Sequence, residues 1–185
     1  MWSEKALSLL AGSFRLAVRD GQNKGARAAM AMAATFAGMG FGNAGVHIPH
    51  ANGYPIAGRG KDFHPKDYPP DEPMVPHGMS VALTAPEAFR FTFDAAPERH
   101  LRAARLLAPG ADEPDNLAEH LPAILTTLMR DIDIPSGVGA VGYDESDIND
   151  LVDGTMKQQR LLATAPKTVT EDDVAGIFRR SMNLW

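Results

Sequence analysis

Helical spacing of apolar residues runs through most of this 185-residue chain, and no stretch alternates apolar and polar side chains over the length of a strand. That one-sided periodicity restricts the chain to packed helices, and the expected fold class is all-α, with residues 1–185 as a single helical domain. Ala6, Leu9, Leu10, Phe14 and Val18 recur at helical intervals, with Ser3 as the expected N-cap. The Ala- and Met-rich run from Ala26 to Met39 has few β-branched residues and suits a buried helix. Helices are also expected after Pro76, with a break or kink at Pro86, over Pro97 to Leu107, and along Leu117, Leu121, Ile124, Leu125 and Leu128. Asp144 to Asp147 and Thr170 to Asp173 each set a capping side chain three residues before an acid, the signature of a helix start.

The apolar fraction of 44% is enough for one core. Cysteine is missing, so disulfides, thiolate metal sites and a cysteine nucleophile are excluded, and any metal must use nitrogen and oxygen ligands. A net charge of −5 with mixed signs gives no footprint for nucleic acid. No run of about 18 apolar residues is present to span a membrane. The first residues lack the basic and apolar regions of a signal peptide, and a soluble, cytoplasmic protein is expected.

Residues 53–75 hold five prolines among charges and tyrosines and suggest a long loop. Before it, Gly40-Phe-Gly42-Asn-Ala-Gly45 has the glycine spacing of a dinucleotide fingerprint, with Asp62 at a suitable distance beyond. That fingerprint requires a strand before it and a crossover helix after it, because the pyrophosphate sits where the strand turns into the helix. Here an Ala/Met helix precedes it and a proline-rich segment follows, so the glycines are assigned instead to close packing around the histidine segment.

Three of the six histidines fall in two short motifs, Val46-His47-Ile-Pro-His50 and Val75-Pro-His77-Gly78. Neutral imidazole ligates zinc, iron, nickel and copper, and His47 and His50 share a face if they lie on one helical turn. Alone, such a pair equally suits histidines that donate to backbone carbonyls. His77, just after Pro76 at an expected helix start, is placed to meet another element. His64, His100 and His120 are expected to be solvated or locally hydrogen-bonded. Arg59, Lys61 and Lys66 put cations near the histidines, where they either orient an anionic substrate or belong to a solvated loop.

Ala26-Arg27-Ala-Ala-Met30, Ala37-Gly38-Met-Gly40-Phe-Gly-Asn-Ala-Gly-Val-His47, His50 with Tyr54-Pro55-Ile56, Lys66-Asp67-Tyr68 and Val75-Pro-His77-Gly78 together resemble the iron-containing alcohol dehydrogenase family. Pro97-Glu-Arg-His100, Val141-Gly-Tyr143 and Glu171-Asp-Asp173 extend the resemblance to the end of the chain. Within the family it is most similar to the hydroxyacid-oxoacid transhydrogenase branch, whose loop between the two histidine motifs is similarly long. The resemblance implies a helical bundle like the C-terminal domain of dehydroquinate synthase-like enzymes. It also implies an α/β domain that binds NAD, without a counterpart in this sequence.

By the same resemblance, His47 and His77 match two metal ligands, for Fe2+ or Zn2+. His50 matches a histidine near the nicotinamide and substrate, one that lies four residues after the metal histidine in the wider family and three residues after it here. The family's earlier Asp and His ligands have no counterpart in residues 1–185. The implied chemistry is hydride transfer between a small alcohol or hydroxyacid, such as 4-hydroxybutyrate, and a nicotinamide or 2-oxoacid, with His50 relaying the proton. Arg59, Lys61 and Lys66 would face the substrate carboxylate. The alternative is a helical module that turns over nothing on its own, because two histidines are too few for a tight site. Partners left open are a second copy of the chain and a separate NAD-binding domain.

Overall fold

The computed structural model describes residues 1–66 and 68–185, so Asp67 of the Lys66-Asp67-Tyr68 motif lies outside the described residues. Ten α-helices and four short 3-10 turns make up the regular structure, with no strand among the described residues. The all-α expectation therefore holds.

Helices α1 (Trp2–Arg19) and α2 (Lys24–Ala44) form an antiparallel hairpin. Helix α1 begins two residues earlier than expected, with Met1 at the cap, and Ser3 lies inside the first turn. Ser3 has a different role: its hydroxyl fills the space beside Gly40, so a side chain at Gly40 would have to displace that hydroxyl. The fingerprint glycines Gly40 and Gly42 thus belong to the last turns of α2, and Gly45 caps it at φ +77. Asn23 caps the other end, its side chain accepting from the Ala26 N–H at 2.9 Å.

The rest of the chain encloses the core. Helix α3 (Ile48–Gly58) packs on α4 (His77–Ala82) and α8 (Ile148–Met156). Helix α5 (Ala85–Thr92) packs on α7 (His120–Asp131) and α10 (Glu171–Arg180), while α6 (Pro97–Leu107) joins α1 to α7. The short α9 (Gln159–Leu162) lies beside α3. Ile56, Leu83, Ile148, Leu151, Val174 and Phe178 are sealed in the main cluster, and Ile48, Ala88 and Ile177 in a second.

Pro86 acts as a start signal as well as a break. The chain turns at Leu83 and Thr84, and α5 resumes with Pro86 in its first turn, where a missing N–H costs nothing. The loop expected from residue 53 begins only after Gly58, because α3 continues through Pro55. Tyr143 closes that end of α3: its hydroxyl donates to the Ile56 carbonyl at 2.7 Å. Gly154 allows α8 to approach, since a Cβ there would sit 2.5 Å from Pro55 Cβ. Both expected capping boxes form, at Asp144 with Asp147 and at Thr170 with Asp173.

Ion pairs tie the helices together away from this core. Glu87 on α5 is 6% exposed and pairs with both Arg90 and Arg180, while Arg90 also grips Glu119 through two bonds of 2.7 and 2.6 Å. The paired guanidinia compensate for burying that carboxylate.

Candidate functional site

Positions 45–47 leave α2 and are pinned before α3 begins. Thr164 donates to the Val46 carbonyl at 2.7 Å, and its methyl group would meet a Cβ on Gly45 at 2.9 Å, so that position needs glycine for space as well as for its positive φ. His47 is the N-cap of α3, its carbonyl accepting from the N–H groups of His50 and Ala51. Its ring stands edge-on to Phe89, with centroids 5.9 Å apart, and its Nδ1 is buried without a partner among the described residues. Burial, then the neighbouring His100 and His50, lowers its pKa from 6.5 to about 4. It is therefore a neutral imidazole at neutral pH.

His50, one turn into α3, lies against His77 at the start of α4, with ring centroids 5.6 Å apart and planes tilted by 59°. Burial and His77 also lower the His50 pKa. His77 is exposed, and the space beside Gly78 is open. The two motifs separated by the long loop thus meet, with the half-buried His47 close to His50.

A polar clamp that the sequence reading missed sets this meeting. Asn52 is fully buried on α3, donates to the Thr84 hydroxyl at 3.2 Å and accepts from Thr155 at 3.2 Å. One amide thus bonds to the N-cap of α5, just past the end of α4, and to α8. Gly53 lets α3 sit close against Ser80 and Val81 of α4. An uncharged amide between Ala51 and Gly53, on a helix otherwise almost wholly apolar, was the available signal.

His100, 8% exposed, meets the local hydrogen-bonding expectation without being solvated, whereas His120, 3% exposed with its Nε2 unpartnered, departs from it. His100 donates from Nδ1 to the Ala96 carbonyl at 2.8 Å, and its Nε2 lies 3.0 Å from the Thr92 hydroxyl, with Phe89 and Phe93 edge-on to its ring. It shares a helical stripe with Ala104 and Leu107, and His120 shares one with Ile124 and Leu128, so both were placed by sequence on core-facing positions. His64 is exposed, 3.2 Å from Asp62.

The loop cations take up other positions. Arg59 caps α3 and pairs with Asp150 at 2.8 Å, while Lys61 pairs with Asp147 at 2.6 Å and lies over the Tyr143 ring. Lys66 is exposed. No group of three His, Asp or Glu side chains converges as a metal cage among the described residues. What the site offers is the His50–His77 pair and, near it, His47 with an orphaned buried nitrogen, imidazole donors of the kind that suit a divalent transition ion.

The chain is a member of the iron-containing alcohol dehydrogenase family: residues 1–182 match the model of that family's C-terminal part. Among its relatives, the mitochondrial hydroxyacid-oxoacid transhydrogenase of Xenopus tropicalis is 44% identical over 189 residues, and that of Homo sapiens 43%. Each alignment covers all of this chain and 40% of the relative, so the chain spans about two-fifths of the length of these proteins. Of the solved structures, a 1,3-propanediol oxidoreductase superposes with a TM-score of 0.82 at 29% identity, covering 96% of this chain and 44% of that one. The alcohol dehydrogenase from Oenococcus oeni gives 0.83 at 28%, covering 96% and 43%. The family is one of oxidoreductases. No helix among the described residues is long and apolar enough to cross a membrane.

Proposed function

We propose that this chain is the metal-bearing helical part of an oxidoreductase that moves hydride between a small hydroxyacid or alcohol and a nicotinamide or 2-oxoacid. In this reading His47 and His77 are metal ligands, for iron in the first instance and zinc as the alternative. The observation that carries it is the half-buried His47 ring, held neutral with a buried, unpartnered nitrogen close to the His50–His77 pair. A ligand nitrogen must be unprotonated, and the surroundings of His47 keep it so without a metal. A divalent ion held there supplies Lewis-acid polarisation of the substrate oxygen.

His50, also lowered in pKa, holds or passes a proton beside the reacting oxygen. Phe89 keeps water from one edge of His47. A substrate carboxylate is oriented by the basic loop. Lys66 is exposed, whereas Arg59 and Lys61 would have to exchange Asp150 and Asp147 for the substrate. NAD binds through an α/β domain outside residues 1–185, and a second copy of the chain or a separate NAD-binding domain is the macromolecular partner.

The test joins this chain to the NAD-binding part of a transhydrogenase relative and measures retained iron and hydroxyacid-dependent turnover. His47→Ala and His77→Ala should each lose the metal. His50→Ala should keep it while turnover falls about 10²- to 10⁴-fold. Metal retention unchanged in both ligand variants would sink the assignment. A helical module without turnover is the second reading, favoured by the exposure of His77, and it is the one that stands if the joined protein holds metal but transfers no hydride.

A further inference from the structure

On the side of the domain formed by α1, α6 and α7, a cavity of about 410 Å³ opens between Arg15, Leu107, Ala108, Asp112, His120 and Ile124. Its volume lies in the range of small-ligand pockets, and most of its wall is apolar. We propose that this cavity binds a free apolar α-amino acid, with the carboxylate on Arg15, the ammonium on Asp112 and the side chain along Leu107, Ala108 and Ile124.

Three observations converge on a zwitterion. Arg15 spends its Nε on Asp131 at 2.6 Å, and its terminal nitrogens have no partner among the described residues. Asp112 has no hydrogen-bond or ion-pair partner among the described residues either, although it lines the same cavity as Arg15. The two therefore face one space without touching, as the two charged ends of an α-amino acid require. The terminal N–H groups of Arg15 are free to donate to a carboxylate and the Asp112 oxygens to accept from an ammonium, so a ligand carrying both groups uses both.

His120 supplies the buried element. It is 3% exposed at the first position of α7, and its Nε2 is sealed without a partner among the described residues. Arg105 pairs with Glu113 at 2.8 Å. The site draws on none of the residues proposed to hold metal.

L-Leucine is the probe, titrated by calorimetry and by NMR of the protein labelled in its imidazole nitrogens. Saturable binding with Kd on the order of 1 mM, moving the His120 resonances, is expected. N-acetyl-L-leucine, which loses the ammonium, and L-leucinamide, which loses the carboxylate, should each bind about tenfold more weakly or worse, as should L-leucine to Arg15→Met and Asp112→Asn. Asp112 is exposed and unpaired, so its variant and the two analogues keep the test sound if Arg15→Met disturbs folding. Equal binding of leucine and both analogues, no saturation by ~50 mM, or shifts confined to His47, His50 and His77 would each overturn the proposal.

Discussion

The α1/α2 hairpin and the helices around α3 contain similar apolar residues, yet they bury them very differently. In the hairpin Met32 is 51% exposed, Val18 48% and Phe41 51%, whereas Leu151, Val174, Ile177 and Phe178 on α8 and α10 are fully buried. The difference lies in what surrounds each helix. Helix α2 meets chiefly α1, while α3 is enclosed by α4, α8 and α9. The same contrast holds for glycine: Gly38 and Gly42 on α2 face open space, while Gly53 and Gly154 are closed in by neighbouring helices. Residue type alone does not decide burial; the number of helices packed on a face does.

Four measurements press on that contrast. In urea denaturation, Phe178→Ala should cost about 3–5 kcal/mol, and Met32→Ala, removing a side chain of similar hydrophobicity, no more than about 0.5 kcal/mol. Equal losses would break the comparison. A smaller effect follows from His47, whose pKa is about 4 in the folded chain and 6.5 as a free side chain. Below pH 6.5 the unfolded chain takes up a proton that the folded one refuses, so stability falls as pH drops from 6.5 towards 4, by up to about 2 kcal/mol at pH 5. His50, shifted the same way, adds to that slope, and His47→Asn should flatten most of it. Gly154→Ala, driven against Pro55, should destabilise by about 1–3 kcal/mol, whereas Gly38→Ala in the open hairpin should stabilise by about 0.5–1 kcal/mol. Thermal melts of the two would show opposite signs. The smallest change is Thr170→Ala, which removes the capping box of α10 at a cost of about 1 kcal/mol; Asn23→Ala, at the start of α2, should match it, because caps act locally in both regions.

What was legible in the sequence follows the same division between local and non-local causes. The capping boxes, the span of α6 from Pro97 to Leu107 and the exclusion of a strand before Gly40 depend on neighbours along the chain, and each was met. The buried state of His120, the exposure of α2 and the continuation of α3 past Pro55 depend on which faces of distant helices meet, and each departed from expectation. At the site, the His47, His50 and His77 motifs were visible from sequence, and the structure brings the latter two together. The clamp of Asn52, Thr84 and Thr155 was not visible, because nothing in the spacing of an amide and two hydroxyls so far apart announces that they bond.

That clamp also bears on when the site comes into being. The Thr155–Asn52 bond joins residues 103 positions apart, whereas the α1/α2 hairpin closes within neighbouring sequence. Contacts of such separation form only after most of the chain has collapsed around them. Backbone amides of α3 should accordingly exchange with solvent only when the whole domain unfolds, while those of the outer hairpin open earlier. A ligand held at the histidines would therefore slow exchange throughout the enclosed half, and its affinity would rest on the cooperativity of that half as much as on the imidazoles it touches.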